Sequence, residues 1–203
     1  MANLDWLVVR DFSLIESATW WKDGPEIESG ELSPAGIGTE VFFMPAAAHT
    51  EKAGSFTNTQ RMLQWHHPAV EPPGEARSEL WFTYHLGRLI REKLASGGLG
   101  GVPPDSTVTA EMDRPILDLT WDYPTAGEIG EPDAEAVLAE INGRDAEGKP
   151  LSSYLQLKGD GSTTSGCWIY AGVYAGGVNQ AARRKPGRQQ DWVAAEWGWA
   201  WPA

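Results

Sequence analysis

The apolar residues of the chain fall into short runs separated by polar, glycine-rich and proline-rich stretches. Trp6 to Arg10 is a continuous β-rich run, W-L-V-V-R, with Asp11 directly after it. A strand that is apolar without alternation predicts burial on both faces, as in a parallel sheet. Ser13 to Trp21 then predicts a helix, with Ser13 as its cap and Glu16 three residues on, in capping-box spacing. The pattern breaks at Lys22-Asp23-Gly24-Pro25, and residues 22–38 are polar and rich in Gly, Pro and Glu. A second apolar strand, Glu40 to Met44, stops at Pro45, which cannot donate to a sheet ladder. Small residues Ala46 to Ala48 follow, then Glu51 and Lys52. Gly54 opens a turn-like stretch whose residues Ser55, Thr57, Asn58, Thr59, Gln60 and Arg61 form a dense polar cluster. Met62 to His66 is a short mixed run.

The strongest helix pattern covers Ala76 to Ala95. Leu80, Trp81, Tyr84, Leu86, Leu89, Ile90 and Leu94 recur at three- and four-residue steps. Gly97 and Gly98 end it, and residues 96–106 read as a Gly/Pro-rich linker. Beyond lie a short strand at Ile116 to Trp121 and a helix at Asp133 to Asn142. Ala136, Val137, Leu138 and Ile141 line the inner face of that helix, and Gly143 stops it. Residues 151–180 alternate β-like runs with glycine turns, Trp168 to Tyr174 being the best strand among them. Arg183 to Gln190 reads as a loop, and an aromatic segment runs from Val193 to Ala203. Strand, acidic residue and helix at the start make a βα unit. The fold class is therefore α/β: a βα layer over 1–95, a linker over 96–106, and a less regular α+β extension over 107–203.

With 203 residues the chain can bury one core, or parts of two. A formal net charge of −12 argues against a general nucleic-acid binder, because phosphate neutralisation needs clustered Lys and Arg. The one basic run, Arg183, Arg184, Lys185 and Arg188, is short. The single cysteine, Cys167, excludes an internal disulfide and any iron–sulfur cluster built from this chain's own thiolates. Its neighbours Gly166, Trp168 and Ile169 predict a small buried apolar residue. No stretch approaches the roughly 20 apolar residues of a spanning helix, so no direct membrane insertion is expected. The N-terminus has no basic region or cleavage site of a signal peptide. His49, His66, His67 and His85 give no metal-ligand spacing, and adjacent His66 and His67 would point to opposite faces of a strand. No nucleophile–base order or phosphate-cradling Gly-Lys loop stands out, so no catalytic residue is assigned. The 11 tryptophans leave two readings, a sugar-binding surface or packing between domains, of which packing is preferred. Trp197, Trp199 and Trp201 alternate and would share one strand face.

Residues 40–67 offer the densest chemistry. Backbone donors, hydroxyls, an amide and two cations after a strand end suit an anionic ligand, although a polar surface turn would read the same. Asp11 ends its strand where ligands sit in α/β sheets, yet it could equally cap the following helix. Lys52 beside Glu51 could form a surface ion pair. Glu79, in G-E-A-R-S-E, could serve only the dipole of the helix it opens.

Several long motifs carry a resemblance. An apolar strand, Pro, small residues, Glu-Lys, a glycine and then F-T-N-T-x-R resembles the molybdopterin oxidoreductases. WLVVRDFSLIESATWW (6–21), TEVFFMP (39–45), LQWHH (63–67), LDLTWDYP (117–124), LSSYLQLKGDGSTTSGCWIYAGVY (151–174) and WGWAWP (197–202) resemble the formate dehydrogenase large subunit in particular. The likeness extends over nearly the whole chain and implies an internal piece of a larger, multi-domain subunit. It implies a bis-molybdopterin guanine dinucleotide cofactor with Mo or W, of which this chain would hold part. Cofactor contacts are implied at Asp11, Lys52 and Glu79, where the family usually has the shorter Asp at the last. Asn58 and Arg61 follow as loop-shaping or cofactor-domain contacts. A [4Fe–4S] cluster and the Cys or selenocysteine metal ligand would belong to other parts of the subunit. The implied partners are the remainder of the large subunit, an iron–sulfur electron-transfer subunit, and formate. A periplasmic, membrane-associated complex is implied over a cytoplasmic one. The chain alone is expected not to oxidise formate. The competing expectation is an independent Trp-rich binding module without redox activity.

Overall fold

A computed structural model describes residues 1–58, 63–97 and 123–182. They gather into two compact units. The first holds residues 1–52 with 68–97, and the second holds 53–58 and 63–67 with 123–182. Helices and small sheets alternate, in keeping with an α/β class.

In the first unit, β1 (Trp6–Asp11) and β2 (Glu40–Pro45) pair in parallel, from Trp6 opposite Glu40 to Asp11 opposite Pro45. The parallel pairing agrees with the sequence pattern, but burial on both faces does not. Val9 is buried, whereas Trp6 (64% exposed), Val8 (38%) and Phe42 (41%) form an open row on the other face. The reason is thickness, since no described layer covers that row. Helix α1 (Glu16–Asp23) begins later than Ser13 predicts, and its cap position, Ile15, makes no side-chain bond. The Asp11 carboxylate accepts the Phe12 N–H at 2.8 Å, which turns the chain before the helix starts. Gly24 donates to the Trp20 carbonyl (3.0 Å) and closes α1, and Pro25 opens the single-turn helix α2 (Pro25–Glu28).

Beyond Pro45 the ladder continues. Ala46 donates to Asp11 (3.0 Å), Ala47 to Arg77 (2.8 Å), and Arg77 back to Pro45 (3.1 Å), making a parallel bridge between Ala46 and Arg77. Residues 76–78 are thus spent on the sheet edge, so α3 (Glu79–Gly97) starts three residues after the apolar periodicity does. Ser78 caps it, its Oγ accepting the Trp81 N–H at 2.8 Å.

In the second unit, β3 (Gly54–Thr57) and β4 (Leu63–His66) form an antiparallel hairpin, Gly54 opposite His66 and Thr57 opposite Leu63. The stretch read from sequence as turn-like from Gly54 is therefore a strand through Thr57. Trp65 on β4 enters the core with Leu138, Val173 and Tyr174. A short hairpin, β5 (Thr125–Ala126) and β6 (Glu131–Pro132), precedes α4 (Ala134–Asn142). Asp133 caps α4 by accepting the Glu135 N–H, and Gly143, at φ +88°, ends it against the Thr164 backbone, where a methyl would clash.

Two further expectations fail in this unit. Trp168 to Tyr174 is no strand: Trp168–Tyr170 is a 3-10 turn, closed by Tyr170 and Ala171 donating to Cys167 and Trp168. Aromatic and branched composition suggested a strand, but the fully buried Asn142 takes the Gly172 and Tyr174 N–H groups that a ladder would need. Cys167 is exposed rather than buried. The readings at residues 98–106, Ile116 to Trp121, Arg183 to Gln190 and Val193 to Ala203 lie outside the described residues.

Candidate functional site

The site is built where β1 and β2 end. A parallel pair aims its carboxyl ends one way, and the connections leaving them converge there. From β1 come Arg10 and Asp11, from β2 the small residues Ala46 to Ala48, and after these a 3-10 turn, His49–Glu51. The Glu51 carboxylate accepts the Ala48 N–H at 2.7 Å, which holds the turn closed and delivers Lys52. Against this edge stands the bridge residue Arg77, and from it α3 departs with Glu79 as its first residue.

Lys52 is mostly covered, its side chain 13% exposed, whereas Glu79 is open at 63%. The Lys52 ammonium donates to the Ala47 carbonyl (3.2 Å) and forms an ion pair with Glu79. Among the described residues, two of its three donors are thereby directed. Burial opposes the charge on Glu79. The Lys52 hydrogen bond, the backbone N–H of Glu79 itself and the charges of Lys52 and Arg10 outweigh it and hold the carboxyl below its ordinary range. The chemistry here is an edge with a carboxylate at the end of β1, Asp11, and an ammonium, Lys52, held against the carboxylate of Glu79.

Of the five residues predicted from sequence, Asp11, Lys52 and Glu79 belong to this one unit and stand at or beside its strand ends. Asn58 is exposed at the end of β3 in the second unit, and Arg61 lies outside the described residues. Sequence reasoning passed over Arg10. Its guanidinium donates to the carbonyls of Arg77 (3.1 Å) and Ser78 (3.3 Å) and lies 4.3 Å from the centre of the Phe82 ring. The available signal was a lone charge inside an otherwise apolar strand.

Other concave or polar features carry less. A cavity of about 450 Å³ lies between the N-terminal turn and α1–α2, lined by Trp20, Leu32 and the acidic Glu16, Asp23 and Glu26. In the second unit Tyr174 is pushed up to about 12 by burial and by the nearby Glu135 and Asp133, and its hydroxyl donates to the Glu135 carbonyl. No cluster of three or more metal-ligating side chains occurs among the described residues. No described helix is long and apolar enough to cross a membrane.

Comparison with known proteins bears on this edge. The family model "Molybdopterin oxidoreductase" matches residues 42–88, which run from β2 through the Lys52 turn and the hairpin into α3. The nitrate-inducible formate dehydrogenase major subunit of Escherichia coli is 33% identical over 218 aligned positions. The formate dehydrogenase subunit alpha of Megalodesulfovibrio gigas is 32% identical, also over 218. Both alignments take in 100% of this chain and 20% of the relative, so the chain spans about a fifth of these proteins' length. Formate dehydrogenase 2 subunit alpha (cytochrome c-553) of Nitratidesulfovibrio vulgaris is 33% identical over 98% of the chain.

Proposed function

Since the chain belongs to the molybdopterin oxidoreductase family, we propose that it forms part of the nucleotide cradle and scaffold of a formate dehydrogenase large subunit. The observation that carries this reading is the ion pair of Lys52 and Glu79 at the carboxyl end of the β1–β2 sheet, where β1 closes with Asp11. The residues fit a bis-molybdopterin guanine dinucleotide in chemistry. The guanine base presents N–H donors on its Watson–Crick edge, and the carboxylates of Asp11 and Glu79 are acceptors suited to them. The open face of Glu79 leaves its carboxylate within reach of solvent and ligand. The remaining donor of Lys52 suits a phosphate oxygen, as a point charge does.

When bound, the group supplies the Mo or W centre at which formate is oxidised to carbon dioxide. The part of this chain is to bind and orient the nucleotide end, since protein around such a cofactor contributes positioning and electrostatics. With no thiolate cluster of its own, it depends on the remainder of the large subunit, and on an iron–sulfur electron-transfer subunit, for the electron path. The exposed Asn58 on the second unit is a further candidate contact. The rival, a Trp-rich sugar-binding module, is disfavoured by the alignment over the entire chain and by Trp65, which is buried in the core.

Lys52→Ala in the full-length subunit tests the reading. Molybdenum (or tungsten) and guanine nucleotide per subunit should fall together by about tenfold, the worth of one charge-assisted hydrogen bond. Unchanged metal and nucleotide content would refute the contact.

A further inference from the structure

We infer that Arg10 is a positioning residue for the nucleotide-binding edge, setting Glu79 against Lys52 by gripping the two carbonyls that precede α3. This rests on the function proposed above. Arg10 lies on β1, far in sequence from α3, yet its guanidinium reaches the Arg77 and Ser78 carbonyls, at 3.1 and 3.3 Å. These are the last two residues before Glu79. One of them is the bridge partner of Ala46; the other caps the helix. A single planar group therefore spans the sheet edge and the helix start, a task for which a forked donor suits better than an ammonium.

The fork is itself held. Phe82, one turn into α3, lies 4.3 Å below the guanidinium, so the side chain cannot swing away without losing a cation–π contact. Arg10 and Met44 are opposite each other in the parallel register, one residue short of the end of β1. Phe82 also donates its N–H to the Ser78 carbonyl (3.1 Å), which thus receives both the first helical bond and the guanidinium. The rotation of the first turn of α3 is fixed by these contacts, and that rotation decides whether Glu79 faces Lys52. The charged groups that face Glu79 are Lys52 from the turn after β2 and Arg10 from β1. Loss of the Arg10 charge would also let Glu79 take up a proton at higher pH.

The test is a double-mutant cycle in the full-length subunit, with Arg10→Gln, Glu79→Gln and the pair, read as guanine nucleotide per subunit after denaturation. Each single change should lower the content about tenfold, a loss typical of a charge-assisted bond. In the Glu79→Gln background Arg10→Gln should add less than about twofold, because coupled residues are non-additive. Acid titration gives the second reading: nucleotide release by Arg10→Gln should have its midpoint at higher pH than the unaltered subunit. Arg10→Lys, which keeps charge but not the fork, should hold that midpoint while still losing nucleotide. It also serves alone if Arg10→Gln yields no soluble subunit. Additive losses, or an unmoved midpoint with Arg10→Gln, would reduce Arg10 to a general stabiliser and overturn the inference alone. If Lys52→Ala leaves nucleotide content intact, the function it rests on falls, and the inference with it.

Discussion

Glu79 shows how a single side chain can belong to both structure and site. Its carboxyl is held below the ordinary range although burial pushes the other way. A carboxyl whose folded pKa is depressed contributes stability above its unfolded pKa and loses it as pH falls through the folded value. The Lys52–Glu79 pair should therefore support the first unit fully at neutral pH and fade on acidification below the ordinary glutamate range of about 4.3. The difference between the unfolding midpoints of the unaltered chain and Glu79→Gln should be largest at neutral pH and shrink as pH falls below the ordinary glutamate range. A difference that does not shrink on acidification would show that the carboxylate charge plays no part. At this scale the sequence singled out Lys52 through its Glu-Lys motif and Glu79 through its place at the opening of a helix, and the fold brings the two into an ion pair. It was mute about Arg10, whose partners are backbone carbonyls 67 and 68 positions away.

At the scale of elements, α4 and α3 show opposite lessons. For α4 the local signals gave the helix and its stop at Gly143, but of the inner face read from sequence only Leu138 enters the core; Ala134 and Ala139, rather than Ala136, Val137 and Ile141, pack beside it, and Asp133 caps the helix instead of opening it. For α3 they misplaced the start, since residues 76–78 have helical periodicity but extend the sheet edge instead. Tertiary hydrogen bonding overrode propensity there. The same holds around Asn142, which no pattern marks. Its amide donates to the Gly143 and Leu151 carbonyls and accepts from Gly172 and Tyr174, so the end of α4 and two distant segments depend on one buried group. That single demand explains why 168–174 turns instead of running as a strand. Asn142→Ala should lower stability by about 3 kcal/mol, through unsatisfied buried backbone groups. Urea unfolding followed by tryptophan fluorescence measures it; a loss under 1 kcal/mol would mean that water replaces the amide.

For the whole molecule, the two compact units have boundaries that follow space rather than chain order. The 54–66 hairpin belongs with residues 123–182, so the central segment 40–67 is shared between units instead of forming one loop. That explains why Asn58 parts company with Lys52. The open apolar row of Trp6, Val8 and Phe42 suits a chain that spans a fifth of its relatives' length, and further layers of a larger subunit would cover it. The most direct measurement is hydrogen–deuterium exchange on the full-length subunit, cofactor-loaded against cofactor-free. If the strand-end edge of the first unit holds the nucleotide, peptides covering 45–52 and 77–82 gain protection on loading, while α4 in the second unit exchanges alike in both forms. Equal exchange at 45–52 and 77–82 in the two forms would contradict it.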